Sequence, residues 1–189
     1  MSASFSLVLP LQRHLKWRAL DIVEQMLMIL CGVALVGFTV TVTCDVVTRT
    51  IGAPWLWLQE VTTHFFIYGV FFGAAAASRR NDHLYLSALA EAMPGRWRFL
   101  CETFNRLVII AVALCMVVFG YINFLQGMGN FRMPSLTPLS SLYAAIPICG
   151  ALVALFAVEQ LVNGWRNGYA APEPETVEDP IRAAHGAVE

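Results

Sequence analysis

Asp45, Arg49, Glu60 and His64 are the residues whose types and spacing could do chemistry in this chain. Asp45 and Arg49 stand four apart, as do Glu60 and His64, so on helices the members of each pair share a face. Arg49 could pair with Asp45 or reach across to Glu60. A carboxylate beside an imidazole suits a proton relay or a metal contact, whereas a single His at the edge of an apolar run is more often a hydrogen-bonded packing residue. Haem b ligation ordinarily wants two axial side chains, and no second His falls inside an apolar run. Glu24 borders another such run beside Asp21 and the basic residues Arg13, Lys16 and Arg18, where pairing at the boundary is expected. The five cysteines, Cys31, Cys44, Cys101, Cys115 and Cys149, form no C-x-x-C pair and no Cys/His grouping at metal spacing. No catalytic residue, metal or cofactor is assigned.

The elements that must position these residues are set by the solvent around them. Of 189 residues, 58% are hydrophobic and only 13% charged, with a net charge of -1. That is about half the charged fraction of an ordinary soluble domain. Asp, Glu, Lys and Arg are missing from four stretches: 25–44, 61–78, 107–131 and 133–158. Each is long enough to cross roughly 30 Å of hydrocarbon as a helix. They lack the alternation of a membrane barrel strand. The expected fold is therefore an all-α integral membrane protein with four transmembrane helices, spanning about 22–44, 61–78, 107–130 and 142–162. The last span is trimmed because "MPSLTPLSS" suits a surface turn. "SFSLVLPL" lacks the charge and cleavage pattern of a secretory signal, so the first span is expected to be retained.

Basic residues separate the two sides of the membrane. Arg13, Lys16 and Arg18 precede the first span; Arg79, Arg80, Arg96, Arg98 and Arg106 lie between the second and third; Arg166 and Arg182 follow the fourth. The other two loops hold only Arg49 and Arg132. The positive-inside rule then places both termini and the middle loop in the cytoplasm. Trp17, Trp55, Trp57, Trp97, Trp165 and Tyr169 fall near span boundaries, as interfacial anchors do.

Residues 1–20 read as a basic interfacial segment, 21–166 as the transmembrane domain and 167–189 as a disordered acidic tail. The middle loop carries Leu84, Leu86, Leu89 and Ala90, which suggest a short surface-lying helix before an amphipathic lead-in to the third span. "GVFFGAAAAS" sets Gly69, Gly73 and Ala77 at four-residue spacing, a stripe for close helix packing either within the bundle or against a partner. "IGAPWLWLQ" turns the chain and lays two Trp residues along the interface.

Three function classes compete. A small membrane redox protein would be built on His64 and Glu60. A self-sufficient exporter would need a coupling carboxylate, for which Glu24 is the nearest candidate. A noncatalytic membrane subunit needs neither, and the absence of a central charge in any span favours it.

The order of features resembles the small membrane subunit, of DctQ type, of tripartite ATP-independent periplasmic (TRAP) transporters. That family carries an Arg after the first helix, a Trp and a Glu at the start of the second, a Gly-Ala run, a basic turn and a His. These positions are Arg49, Trp57, Glu60, Gly73 with Ala74, Arg79 with Arg80, and His83. Pro134, Tyr143, Pro147 and Gly150 fall where the family's outer loop and fourth helix have them. Leu58 and Gln59 stand between Trp57 and Glu60, where an acidic pair is expected. The resemblance covers roughly residues 20–165. It implies no enzyme activity. It also implies a bacterial inner-membrane scaffold within the lipid bilayer, beside a large membrane subunit carrying the organic acid and sodium sites. A periplasmic substrate-binding protein would seat on an outer rim of Asp45, Arg49, Trp57, Glu60 and Arg132, and Arg79, Arg80 and His83 would form a cytoplasmic interface. No nucleic-acid partner is expected.

Overall fold

The computed structural model describes residues 16–80, 95–133, 136–167 and 169. The chain is an all-α integral membrane protein: four helices are long and apolar enough to cross a membrane. Helix α1 is Arg18–Thr50, α2 is Trp57–Arg80 and α3 is Gly95–Gly127. A short hairpin, β1 (Phe131–Arg132) and β2 (Thr137–Pro138), leads into a single turn, α4 (Ser140–Tyr143), and the last helix, α5 (Ala145–Asn167).

The helices outrun their apolar stretches. Each of α1 and α3 has 33 residues, about 50 Å at 1.5 Å per residue. Polar residues at a helix end do not break it; only a Gly, a Pro or a lost partner does. Thus α1 runs past Cys44 through Asp45 and Arg49, then stops at Gly52, whose φ of 79° permits the turn. The expected lead-in to the third span is continuous with that span, since no Pro or Gly lies between Gly95 and Gly120. The helix ends at Gly127, short of 130. The middle-loop helix expected near Leu84, the basic arm before Lys16, the tail from Ala170 onward, His83 and Pro134 lie outside the described residues.

The helices pack side by side in the order α1, α2, α5, α3, with α1 and α3 on the flanks. Small residues set this order. Gly69 and Gly73 of α2 face Ala34 and Cys31 of α1: a Cβ on either glycine would stand 3.3 Å from its neighbour. Ala75 and Ala76, farther along α2, join Leu27, Cys149 and Phe156 in the buried core. Gly150 of α5 approaches so closely that its Cβ would lie 2.9 Å from the Ala113 carbonyl oxygen of α3. Close backbone approach through small residues is how membrane helices gain contact when apolar side chains gain nothing by leaving lipid. The outward faces of α1 and α3 remain apolar and exposed, with Ile22, Met26, Ile29 and Val33 on one and Phe104, Leu107, Val108 and Val112 on the other.

Candidate functional site

Two polar clusters occupy opposite ends of the array. The first is built on Arg79, at the last turn of α2, whose side chain is 0% exposed. Its Nη1 donates to Glu24 Oε2 at 2.7 Å, and its Nη2 donates to Asp21 Oδ1 and to the Trp17 carbonyl oxygen, each at 3.0 Å. All three acceptors belong to α1 or its cap. From the other side Glu159 of α5 receives Nε at 3.1 Å and Nη2 at 3.0 Å. The ring of Phe156 lies 5.5 Å beneath the guanidinium, in cation–π range. Arg80 Nε donates to the other Glu24 oxygen at 3.0 Å.

The cluster extends to the fourth helix. Gln160 Nε2 donates to the Arg79 and Ser78 carbonyl oxygens at 2.9 and 3.3 Å, which satisfies two of the carbonyls a helix leaves unpaired at its C-terminus. The same amide's oxygen accepts from Arg106 of α3, itself buried and within 3.5 Å of Glu102. Trp17 donates its backbone N–H to Glu159 and its indole N–H to Asn163 at 2.7 Å. Burial pushes the nearby Lys16 amine below its ordinary value, with Glu24 acting in opposition.

These contacts correct several expectations. Arg79, expected in a basic turn at a cytoplasmic interface with Arg80 and His83, is the hub of a buried cluster that joins α1, α2 and α5. Glu24 pairs with Arg79 and Arg80 of another helix rather than with the arm before α1, so it is not an open coupling carboxylate. Tyr169 is not an interfacial anchor. It is buried against Gly164, where any Cβ would strike its ring, and meets Phe99 edge-on at 5.5 Å. Glu159, Gln160 and Asn163 were not singled out from sequence. Their signal was a Glu inside the 142–162 span at the same end as Arg79.

The second cluster joins α2 to the hairpin. Glu60, His64 and Tyr68 follow at four-residue spacing and all face the segment 137–141. Glu60 Oε2 accepts from the Thr137 hydroxyl at 3.1 Å. His64 Nδ1 lies 2.7 Å from the Glu60 carbonyl oxygen, and its Nε2 lies 2.8 Å from Ser141 Oγ. Tyr68 donates its hydroxyl to the Ser141 carbonyl oxygen at 2.7 Å. Both ring nitrogens of His64 are thus engaged with oxygens, an arrangement for holding a loop rather than an axial position.

Of the rim residues, Arg49 pairs with Asp45 at 2.9 Å within α1 rather than with Glu60. Trp55 and Trp57 are exposed and stack at 6.0 Å. Arg132 is exposed and lines a cavity of about 450 Å³ with Glu60, Gln59 and Thr63. Ala77 lies half-buried on α2. All five cysteines are free thiols. Among the described residues no three His, Cys, Asp or Glu side chains group to hold a metal.

Residues 38–167 match the family described as "Tripartite ATP-independent periplasmic transporters, DctQ component". The chain belongs to that family. It is therefore a small TRAP permease subunit and a multi-pass membrane protein. Two relatives agree. The sialic acid TRAP transporter permease protein SiaT of Haemophilus influenzae is 25% identical over 114 residues, which is 59% of this chain and 18% of that one. A putative TRAP transporter small permease protein of the same species is 23% identical over 105 residues, 56% of this chain and 65% of the relative. The chain thus spans less than two thirds of the length of either relative. The DctQ match covers the Arg49 to Glu60 rim, Arg79, the hairpin and Glu159, but begins after Glu24.

Proposed function

We propose that this DctQ-type subunit is the fixed scaffold of a sodium-driven TRAP importer, with the Arg79 end in the cytoplasm of a bacterial inner membrane. A large membrane subunit would carry the organic acid and sodium sites, and a periplasmic binding protein would deliver the substrate. Scaffolding is a noncatalytic role. The observation that carries this reading is the Arg79 cluster. Arg79 and Arg80 pair there with Asp21, Glu24 and Glu159, and the cluster ties three helices directly, with the fourth joined through Gln160 and Arg106. Rearranging α1 against α5 would strand buried carboxylates, a cost of several kcal/mol. The middle of the four spans holds no Asp, Glu, Lys or Arg that could bind an ion in transit. A body of this kind supports motion in a partner rather than moving itself.

Orientation rests on exposed Arg18, Arg96 and Arg166 at the Arg79 end. The name of one relative gives sialic acid as its cargo, which is a carboxylate, so an organic acid is the substrate class we assign. The docking surface is the opposite rim, with Asp45, Arg49, Trp57, Glu60 and Arg132.

The test is co-purification. The protein is tagged, extracted gently from its native membrane and resolved with whatever accompanies it. A large multi-spanning subunit in near-equal amount supports the scaffold reading. Uptake in vesicles containing this chain alone would overturn it.

A further inference from the structure

Beside the hairpin, the start of α2 borders a cavity of about 450 Å³ whose walls carry opposite charges. Gln59, Glu60 and Thr63 line it from α2, Leu56 from just before the helix, and Arg132 and Met133 from the hairpin. The two charges do not close on one another: Arg132 is exposed and forms no ion pair with any described residue, Glu60 included. Glu60 is 6% exposed, and the hydroxyl it accepts from Thr137 steadies the carboxylate without cancelling its charge. Thr63 donates its hydroxyl hydrogen to the Gln59 carbonyl oxygen at 2.7 Å, so toward the cavity its oxygen can only accept. One wall therefore presents a negative charge with acceptors beside it, and the other a guanidinium fork.

We propose that this cavity binds a zwitterion in which a primary ammonium stands next to a phosphate, the chemistry of a phosphoethanolamine group. The phosphate takes the Arg132 fork, which matches two oxygens of one anion. The ammonium directs its three N–H groups to the Glu60 side, where Thr63 and the Gln59 amide also offer oxygens. A quaternary ammonium has no N–H to give, and a headgroup ending in a hydroxyl brings no positive charge to Glu60. Burial leaves the Glu60 charge poorly screened by water, which strengthens its preference for a cation in the cavity. The volume is ample, since pockets of about 300–1,000 Å³ hold whole small molecules. The surroundings point to a membrane lipid as the carrier of this group. Leu56 is 55% and Met133 80% exposed, and the stacked Trp55 and Trp57 flank Leu56, the composition of a border between headgroups and acyl chains. The argument rests on the membrane-spanning fold and not on the docking role given to this rim.

Native mass spectrometry of the full chain in detergent tests it, with dioleoyl phosphatidylethanolamine, phosphatidylcholine and phosphatidylglycerol titrated one at a time. The first lipid to bind should show an apparent Kd about tenfold lower for phosphatidylethanolamine than for either of the others, the effect of one hydrogen bond to a charged group. Arg132→Gln, at an exposed position, should weaken phosphatidylethanolamine about tenfold. Glu60→Gln keeps an oxygen for the Thr137 hydroxyl and should erase the preference over phosphatidylcholine. Soluble O-phosphoethanolamine separates the sources of the ligand. If it displaces the lipid at millimolar concentration, the headgroup alone fills the site and can arrive from water; if the preferred lipid stays bound, the membrane is the source. Equal retention of the three lipids, an unchanged phosphatidylethanolamine affinity in Arg132→Gln, or a preference that survives Glu60→Gln would overturn the proposal. The three-lipid comparison uses the unaltered protein and stands even where a variant fails to fold.

Discussion

Arg79 and Glu159 meet in a two-pronged contact, Nε to Oε2 at 3.1 Å and Nη2 to Oε1 at 3.0 Å, with both side chains fully buried between α2 and α5. The planar fork of a guanidinium matches a carboxylate in this way, and an ammonium cannot. The remaining donors of the fork turn to Glu24 and Asp21 on α1. One side chain thereby fixes the relative height of three helices at one end.

Removing that fork should be costly. Arg79→Met leaves Glu24 and Glu159 in an apolar setting with too little positive charge, and unfolding in detergent should show a loss of about 3–5 kcal/mol, the usual cost of breaking a buried pair from one side. Arg79→Lys should recover less than half of this. A combined Arg79→Met, Glu159→Gln, Glu24→Gln variant should be more stable than Arg79→Met alone, because the buried charges leave together. A single Arg79→Met variant as stable as the parent would show that the cluster does not hold the helices.

Close contact between α3 and α5 rests on Gly150. A Cβ there would sit 2.9 Å from the Ala113 carbonyl oxygen and 3.0 Å from Met116 Cβ. Backbone cannot swing aside as a side chain can, so Gly150→Val should separate the two helices and cost about 1–3 kcal/mol. The control is Gly32→Val, where nothing lies within 4 Å of the added carbon. Thermal unfolding midpoints of the two variants should differ, with only Gly150→Val lowered.

The four helices were readable because hydrophobicity along a chain is a one-dimensional signal, whereas their lengths were not, since α1 and α3 continue past their apolar stretches into polar ends. The turn at Gly52 was readable as well, where the helix pattern met a residue free to adopt a positive φ. What joins the helices was not readable, since a pairing such as Arg79 with Glu159 spans 80 positions and nothing local to either residue names the other. The same limit applied to His64. Its place near the start of the second apolar run was visible, while its contact with Ser141, 77 positions on, depends on how the hairpin folds back. The small-residue stripe could be seen as a face, but its occupant could not. Basic residues misled in one respect: Arg79 contributes to the count at its end of the bundle yet is wholly buried, because Glu24 and Glu159 lie near enough in space to compensate it.

Gly69 and Gly73 now make a narrower prediction than the stripe alone allowed. Each faces α1 closely enough that an added Cβ would stand 3.3 Å from its neighbour, Gly69 toward Ala34 and Gly73 toward Cys31. Leucine at either position should push α1 away from α2 and lower stability by about 1–3 kcal/mol. A smaller residue at the facing position, Cys31→Gly against Gly73→Ala, should return part of the loss. Unchanged unfolding with a lower yield of the complex with the large subunit would instead place a partner on this stripe.

The outer rim separates structural from docking roles. Arg49 is 47% exposed and pairs only along its own helix with Asp45, a contact worth about 0.5 kcal/mol or less. Arg49→Ala should therefore leave stability and expression unchanged. Any fall in uptake by the complete transporter then reports a contact with the delivered binding protein, and we expect the apparent KM for that protein to rise about threefold at low salt. Raising the ionic strength should shrink the difference between variant and parent, since exposed charges are screened within roughly 8 Å at physiological salt. Glu60→Ala should behave differently: it removes the acceptor of the Thr137 hydroxyl, so the hairpin loosens and uptake falls with a weaker salt dependence. Normal uptake in both variants, measured in vesicles with binding protein limiting, would remove the rim as a docking site and leave Arg49 as a surface charge on a scaffold.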